Sequence, residues 1–313
     1  MSNIEVSVIC NTYNQESYIR DALESFVRQK TKFKFEILVH DDASTDKTAS
    51  IIREYEHKYP ELIRAIYQKI NQHSINPGRV SDIQNARVKG KYIALCEGDD
   101  YWIDDYKLQK QYEALENNPE IDICATAATV EEADTKRVLS EKAPFMQSCI
   151  IPVENVIKGG GGYVATNSLM YRTRLNDNIP LFRKNWRYDY TLQILGSLRG
   201  GMLYLNDNTA VYRWMAKGSW SSKTYASREK NIENTLSFIE MLKTLNRETN
   251  GKYLDAIDDT LKENEFVILR LTGNLKEMKS ERYRQLFEGL KMKDKIKTYV
   301  KYFFPFLMGD KLR

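Results

Sequence analysis

This chain of 313 residues lacks several features that mark common protein classes. No uninterrupted apolar run approaches the ~18 residues that a membrane-spanning helix needs. The N-terminal segment has neither the basic start nor the long apolar stretch of a secretory signal, which favours a cytoplasmic location. Seven prolines and fifteen glycines are too few for a disordered or collagenous protein. The composition therefore predicts a globular protein with one large domain, or one domain and an appendage.

Paired metal-binding cysteines and histidines are also missing. Cys10, Cys96, Cys124 and Cys149 form no CxxC pair, and the three histidines show no HxxxH spacing. A structural zinc site is therefore not expected. We expect the cysteines to be small buried hydrophobic residues in a reducing compartment. The alternative, a catalytic cysteine–histidine pair, has no support from neighbouring residues.

The common glycine-rich phosphate loops do not occur in the expected places. The absence of GxxxxGK[ST] disfavours a P-loop kinase or ATPase, and no GxGxxG follows the first predicted strand, which disfavours a nicotinamide-dependent dehydrogenase. Residues 159–162 are four consecutive glycines without a following lysine, and we interpret them as a loop at the mouth of a site. A net charge of +4 is too small to indicate a nucleic-acid partner.

The first third of the chain alternates between short apolar runs and stretches with helical spacing. The apolar runs predict strands buried on both faces at residues 6–10, 35–39, 62–67 and 92–96. Helical spacing separates them, as in Ile19, Ala22 and Phe26. This alternation predicts an α/β fold with a mostly parallel sheet covered on both sides by helices.

The rest of the chain is less regular until a helical region begins. In the middle, the pattern predicts a strand, an extended segment, a helix and two short strands, at residues 121–130, 163–171, 190–198, 202–205 and 210–214. From about residue 221 the apolar residues keep a helical period. We therefore predict a domain of residues 1–222 followed by a helical C-terminal region of residues 223–313.

Polar clusters follow three of the predicted strands where each strand ends. Their sequences are NTYN at 11–14, HDDAS at 40–44 and EGDD at 97–100. Ligands of open α/β sheets bind beyond the carboxyl ends of the strands. Glu97, Asp99 and Asp100 are costly together unless a cation lies between them, and Mg²⁺ is often shared between carboxylates and phosphates. The pattern predicts a metal–diphosphate site, with a solvated acidic turn as the alternative.

Taken in order, these motifs resemble family 2 glycosyltransferases. The matching pieces are VICNTYN, DDASTD, NAR, GKY, EGDDYW, RYDYTL, AVYR and SWS, between residues 4 and 222. The resemblance implies an inverting enzyme of the GT-A fold, with a Rossmann-like nucleotide-sugar-binding sheet. Enzymes of this type extend bacterial polysaccharides and other glycans. The helical C-terminal region carries none of these motifs.

The resemblance implies a role for each matching position. Asp99 would bind Mn²⁺ or Mg²⁺ at the diphosphate, and Asp41 would hold the base of the nucleotide, typically uracil. Asp189 falls where the family keeps its catalytic base; alone, it could equally be a helix N-cap. The positions implied to contact the donor nucleotide are Thr12, Tyr13, Asn14, Glu16, Asp41, Asn85, Arg87, Glu97, Asp100 and Arg213.

Two positions depart from the family pattern. Glu97 replaces aspartate as the first acid of the metal motif. Met215 stands where relatives often have a histidine, and a thioether is a poor ligand for Mn²⁺ or Mg²⁺. The metal would then rest on Asp99 with water, while Arg213 or Lys217 neutralises the diphosphate.

The function predicted on this basis is transfer of a hexosyl or N-acetylhexosaminyl group from a UDP sugar. The acceptor would be a glycan or a lipid-linked saccharide in surface polysaccharide biosynthesis. One alternative is a non-catalytic nucleotide-sugar-binding or scaffold protein of a glycan assembly complex, which Met215 favours. Another is a nucleotidyltransferase, but NTYNQE after the first strand lacks the glycine-rich basic loop that such an enzyme needs.

The last residues, 291–313, combine basic and apolar side chains. Five lysines lie between Lys291 and Lys301, and apolar residues recur near helical spacing from Met292 to Leu307. This pattern predicts a basic amphipathic helix in peripheral contact with an anionic membrane, at the inner face of the cell membrane. The alternative is a helix docked on the protein with solvated lysines. Nucleic acid is a poorer partner because no RNA- or DNA-binding motif accompanies the segment.

Overall fold

The structure is a computed structural model that describes residues 3–217 and 227–303. The chain divides into two compact units, residues 1–221 and 222–313. The predicted domain boundary at 222/223 and the SWS motif lie outside the described residues, as do the last ten residues of the predicted amphipathic tail.

Within its described residues, the first unit contains ten strands and eight α-helices. The strands are β1 (Ile4–Thr12), β2 (Lys34–Asp41), β3 (Ile63–Tyr67), β4 (Tyr92–Leu95), β5 (Tyr101–Trp102), β6 (Ile123–Glu132), β7 (Val138–Lys142), β8 (Cys149–Ile151), β9 (Met170–Arg172) and β10 (Met202–Trp214). The helices are α1 (Ile19–Val27), α2 (Thr48–Lys58), α3 (Gln72–Ile75), α4 (Pro77–Asn85), α5 (Lys107–Glu116), α6 (Val153–Gly159), α7 (Leu181–Lys184) and α8 (Asp189–Ser197).

All ten strands join one sheet in the order β3-β2-β1-β4-β9-β6-β10-β5, with β7 beside β6 and β8 beside β10. The four N-terminal strands β3, β2, β1 and β4 are parallel, as the alternating pattern predicts. The later part is mixed, because β9 runs antiparallel to both β4 and β6 and β5 runs antiparallel to β10. The short link between β6 and β7 allows only an antiparallel hairpin, since parallel neighbours need a long crossover.

The core of the first unit lies on both faces of β1. Val8 and Cys10 on one face and Ser7 and Ile9 on the other are at most 4% exposed, which fits a strand in the middle of a covered sheet. The apolar side of α1 is buried as well, and its Phe26 packs edge-on against Trp102 with ring centroids 4.8 Å apart. Burying side chains of this size contributes roughly 1.5–3 kcal/mol each. The apolar residues that recur at helical spacing in the sequence thus form the buried face of α1.

The four cysteines behave as small apolar residues. Cys10, Cys96 and Cys124 are buried, Cys149 is partly buried, and all four are free thiols. Burial raises the pKa of each thiol, to about 12 for Cys124. A raised pKa keeps a thiol protonated and unreactive at neutral pH.

Two segments of the first unit differ from the sequence-based expectation. The extended segment expected at 163–171 contains a 3₁₀ turn at Thr166–Ser168, and only Met170–Arg172 forms a strand. The two short strands expected at 202–205 and 210–214 are one strand, β10. Its pairing with β6 shifts register between Leu205 and Ala210, and the polar residues at this irregularity interrupt the apolar pattern.

The second unit is helical, as predicted. Its described helices are α9 (Arg228–Glu248), α10 (Leu254–Thr272), α11 (Leu275–Met278), α12 (Arg284–Glu288) and α13 (Met292–Phe303). A left-handed glycine, Gly273 with φ 73°, ends α10. A small core gathers Phe266, Leu275, Met278, Tyr283 and Phe287. Within the described part of the chain, no helix has the length and apolar character to cross a bilayer.

Candidate active site

The three polar strand ends lie together at one edge of the sheet. β1 pairs in parallel with β2 on one side and with β4 on the other, so all three end at the same edge. The Asn11 backbone N–H donates to Glu97 Oε2 over 3.2 Å, and the Asp42 N–H donates to the Thr12 carbonyl over 2.9 Å. The edge expected from the sequence is therefore formed by direct contacts between the three segments.

The acidic segment after β4, residues 97–100, lies in an environment that disfavours the ionised form of its carboxyl groups. Asp99 and Asp100 are buried. Burial raises the pKa of both carboxyl groups, and the charge of Asp99 raises that of Asp100 further. Burial, together with the charges of Asp189 and Asp99, raises the pKa of Glu97 to about 8. Carboxyl groups crowded in this way gain most from a nearby positive charge.

Arg213 supplies a protein counter-charge to this acidic segment. The guanidinium group is only 2% exposed, and its Nη1 donates to the Asp99 carbonyl over 3.1 Å. Nη2 donates to the Asp21 carboxylate, and Nε lies 3.5 Å from Glu131 Oε1. Its backbone N–H donates to Asp100 Oδ1 over 2.8 Å. Arg213 is expected from the sequence at the donor diphosphate, but these contacts engage its guanidinium group inside the protein.

Asn85 and Arg87 are bound to neighbouring elements of the fold. Arg87 donates to the carbonyls of Val39 and Arg64 over 3.3 and 2.5 Å, so its guanidinium lies against the backbone of β2 and β3. The Asn85 side chain accepts a hydrogen bond from Asn176 over 3.3 Å. The structure therefore gives both side chains positions that anchor the end of α4.

Asn14 and Glu16 join the loop after β1 to the loop after β2. Asn14 Oδ1 accepts from the Thr45 N–H over 2.7 Å, and Glu16 Oε2 accepts from the Lys47 N–H over 2.9 Å. Asn14 has a positive φ of 53°, which asparagine tolerates better than most residues. Tyr13, which precedes Asn14 in the loop after β1, is exposed. Hydrogen bonds thus connect the loops after β1 and β2, and the exposed side chain of Tyr13 lies in the first of these loops.

Three oxygens at the strand ends are buried without a hydrogen-bond partner in the described structure: Thr12 Oγ1, Gln15 Oε1 and Asp41 Oδ1. A Cβ atom added to Gly98 would lie 2.5 Å from Gln15 Oε1 and 2.8 Å from Thr12 Oγ1. Leaving such an oxygen without a donor costs about 1–3 kcal/mol. The cradle beside Gly98 therefore suits the donor groups of a ligand. Gln15 is a residue of this cradle that the sequence motifs do not indicate.

Asp189 is the first residue of α8 and follows the N-cap residue Tyr188. It is exposed, and its Oδ2 accepts a hydrogen bond from Thr166 Oγ1 over 2.5 Å. Its charge contributes to the raised pKa of Glu97, so the carboxylate lies within electrostatic reach of the acidic segment. Because Tyr188 takes the N-cap position, Asp189 stands one residue inside the helix and not at the cap itself.

The donor set fits a metal ion shared with a substrate better than a cage of protein ligands. In the described ranges, no group of three or more His, Cys, Asp and Glu side chains could hold a metal. Mg²⁺ usually keeps several waters and takes one or two carboxylates together with substrate phosphates. Asp99 and Glu97 suit that arrangement. Met215 is 43% exposed with φ 61°, and its side chain offers neither oxygen nor imidazole.

The family model for glycosyl transferase family 2 matches residues 7–179, more than half of the chain. The chain belongs to this family. The match spans β1 through the three polar strand ends and on past β9. This family 2 member thus carries its family signature on the segments that form the acidic edge.

The sequence relatives of the chain include an uncharacterized protein and a named transferase. An uncharacterized protein of Mycobacterium tuberculosis is 37% identical over 228 residues, which are 72% of this chain and 63% of that protein. The chain therefore spans about 63% of the length of this relative. TarS of Staphylococcus aureus, named poly(ribitol-phosphate) beta-N-acetylglucosaminyltransferase, is 32% identical over 99 residues, 31% of this chain and 17% of TarS.

The solved structures that resemble the chain show its fold to be GT-A. A structure of TarS with UDP-GlcNAc superimposes with a TM-score of 0.62 at 19% identity, covering 98% of this chain and 82% of that one. A mannosyltransferase of Pyrobaculum calidifontis, solved with GDP-Man and Mn²⁺, gives 0.56 at 14% identity, covering 97% and 88%. At these identities the likeness concerns the fold alone.

The buried position of Arg213 leads to a stability prediction. Replacing Arg213 by Met leaves several carboxyl groups without their counter-charge, so we expect the free energy of unfolding to fall by about 3–5 kcal/mol. Urea denaturation followed by circular dichroism measures this change. The matched control is Arg20→Met, which removes an exposed ion pair with Glu54 and should cost about 1 kcal/mol or less. Equal losses in the two variants would contradict the role given to Arg213.

Proposed function

We propose that this protein is an inverting glycosyltransferase that uses a UDP sugar. It transfers a hexosyl or N-acetylhexosaminyl group to a glycan or lipid-linked acceptor in surface polysaccharide biosynthesis. The observation that carries the proposal is the meeting of three polar strand ends at one edge, with Asp189 in electrostatic reach of Glu97. TarS, named for N-acetylglucosaminyl transfer and solved with UDP-GlcNAc, supports a UDP-linked N-acetylhexosamine as the first donor to test.

The donor nucleotide would occupy the loops after β1 and β2. The buried Asp41 oxygen that lacks a partner would accept the N–H of a uracil ring, and Thr12 and Gln15 would accept hydroxyl or water donors. The exposed ring of Tyr13 offers a surface for the base. Lys217, exposed just after β10, would neutralise the diphosphate now that Arg213 is engaged inside the protein.

Asp99, assisted by Glu97, would hold the divalent cation. When bound, Mn²⁺ or Mg²⁺ would stabilise the negative charge that develops on the departing diphosphate. The solved structure of the Pyrobaculum mannosyltransferase in complex with GDP-Man and Mn²⁺ supports a metal of this kind. Arg213 would act as a positioning residue here, because it fixes the backbone of Asp99 and the carboxylate of Asp100.

Asp189 would accept the proton of the acceptor hydroxyl. In the transfer step, the hydroxyl oxygen forms a bond to the anomeric carbon while the bond from that carbon to the diphosphate oxygen breaks. The electron pair of the broken bond leaves with the nucleoside diphosphate, and the hydroxyl proton passes to the Asp189 carboxylate. Attack on the face opposite to the leaving group inverts the configuration of the anomeric carbon.

A donor screen tests the function itself. The protein is incubated with a panel of nucleotide sugars, Mn²⁺ or Mg²⁺ and glycan acceptors, and released nucleoside diphosphate is measured. Release of UDP above the metal-free background supports the enzyme. Tight binding of UDP sugars without release, over the whole panel, would instead favour a non-catalytic nucleotide-sugar-binding protein.

The cradle beside Gly98 predicts a loss of donor affinity in Gly98→Ala. The new Cβ would collide with Gln15 and Thr12, so both must move, and we expect the affinity for UDP to fall about tenfold or more. Titration calorimetry measures the affinity, and thermal melting checks the fold. Gly289→Ala, whose Cβ would approach no atom closer than 3.3 Å, is the control. Unchanged affinity in Gly98→Ala would remove Thr12 and Gln15 from the donor site.

The role of Asp189 predicts a loss of turnover without a loss of binding. Asp189→Asn keeps the shape of the side chain but cannot accept the proton as a carboxylate does. We expect the transfer rate to fall about 10²-fold or more, while the affinity for the donor stays within a few-fold. Asp177→Asn, at an exposed position, is the control. Transfer near the wild-type rate would show that another group is the base.

A further inference from the structure

The last described helix, α13, has one packed side and one exposed apolar side. Thr298, which lies opposite Ile296 around the helix, is buried. Tyr299 borders the exposed side: its ring packs against the small core of the second unit and stacks on the ring of Phe303. Met292, Ile296 and Phe303 are 72%, 56% and 59% exposed. Positions four and eleven apart share one face of a helix, so these three side chains form a single strip. We call these three residues the α13 strip.

Two lysines lie on one side of the α13 strip. Lys293 and Lys297 each follow a residue of the strip and are exposed. The acidic residue of the helix, Asp294, lies 3.9 Å from Arg270 and so belongs to the packed side. The exposed surface of α13 therefore combines apolar side chains with positive charge and no carboxylate among its described exposed residues.

We propose that the α13 strip binds an anionic lipid surface. Its apolar side chains would enter the boundary between headgroups and acyl chains, while Lys293 and Lys297 contact lipid phosphates. The positive charge beside the strip favours an anionic lipid surface over a second copy of the chain as the binding partner. Two α13 strips facing each other would bring two lysine rows together, whereas an anionic bilayer complements them. This inference does not rest on the proposed transferase activity.

Vesicle sedimentation with the full-length chain tests the proposal. We expect binding to vesicles of phosphatidylglycerol and phosphatidylcholine and little binding to phosphatidylcholine alone. Added salt should weaken the binding, because charges at an exposed surface are screened over ~8–10 Å near physiological ionic strength. Equal binding to both kinds of vesicle, or binding that salt does not change, would overturn the proposal.

Matched variants test whether the strip itself makes the contact. Ile296→Asp should reduce binding to the anionic vesicles about tenfold or more. Leu254→Asp, at a residue of similar exposure in α10, should not change it. The double reversal Lys293→Glu with Lys297→Glu should also reduce binding about tenfold or more. Lys230→Glu with Lys276→Glu changes the net charge equally at other exposed positions and should have a smaller effect.

Thermal melting of each variant shows whether it is folded, and sedimentation velocity shows its oligomeric state. Ile296→Asp and its Leu254→Asp control should melt like the parent protein, because both residues are exposed. Equal vesicle binding by these two variants would overturn the proposal. A parent dimer that Ile296→Asp converts to monomer, without vesicle binding by either, would assign the strip to a second copy instead.

Discussion

The acidic edge of the sheet depends on one buried arginine. Arg213 binds the backbone of Asp99, holds the carboxylate of Asp100 through its own N–H, and pairs with Asp21. Without a positive charge, two adjacent buried aspartates would be too costly to keep at this edge. Because β10 carries Arg213 and borders β5, the strand that follows Asp100, the same pairing fixes the loop and supplies its counter-charge. The residue thus makes a cluster of buried carboxyl groups compatible with a folded protein.

This protein-supplied charge leaves a specific role for a ligand. Arg213 neutralises the acidic segment from inside the protein, while the Thr12, Gln15 and Asp41 oxygens stay without donors. The pKa of Glu97 remains raised to about 8. An additional positive charge near this carboxyl group would therefore stabilise its ionised form. A divalent cation that binds together with a nucleoside diphosphate would supply this positive charge. The folded protein and the proposed cation would then use different partners of the same carboxyl groups.

Local sequence patterns predicted the parallel half of the sheet and the meeting of its polar ends. Both follow from short-range rules, because an apolar run gives a buried strand and parallel neighbours end at one edge. The environment of Arg213 could not be predicted in this way, since Asp21 and Glu131 are distant in the sequence. The sequence did not predict that β10 is one strand. The polar residues between Leu205 and Ala210, where the register shifts, resemble a turn. Gln15 was missed because only the close approach of Gly98 shows that its side-chain oxygen is enclosed.

A crystal structure with UDP and Mn²⁺, measured at the manganese absorption edge, tests the central claim most directly. The account predicts an anomalous peak in direct coordination distance of the Asp99 carboxylate and the diphosphate, with the uracil ring beside Asp41. Arg213 should keep its contacts with Asp21 and Asp99 in that complex. A nucleotide bound away from the three strand ends, or bound there with the manganese remote from Asp99, would contradict the account.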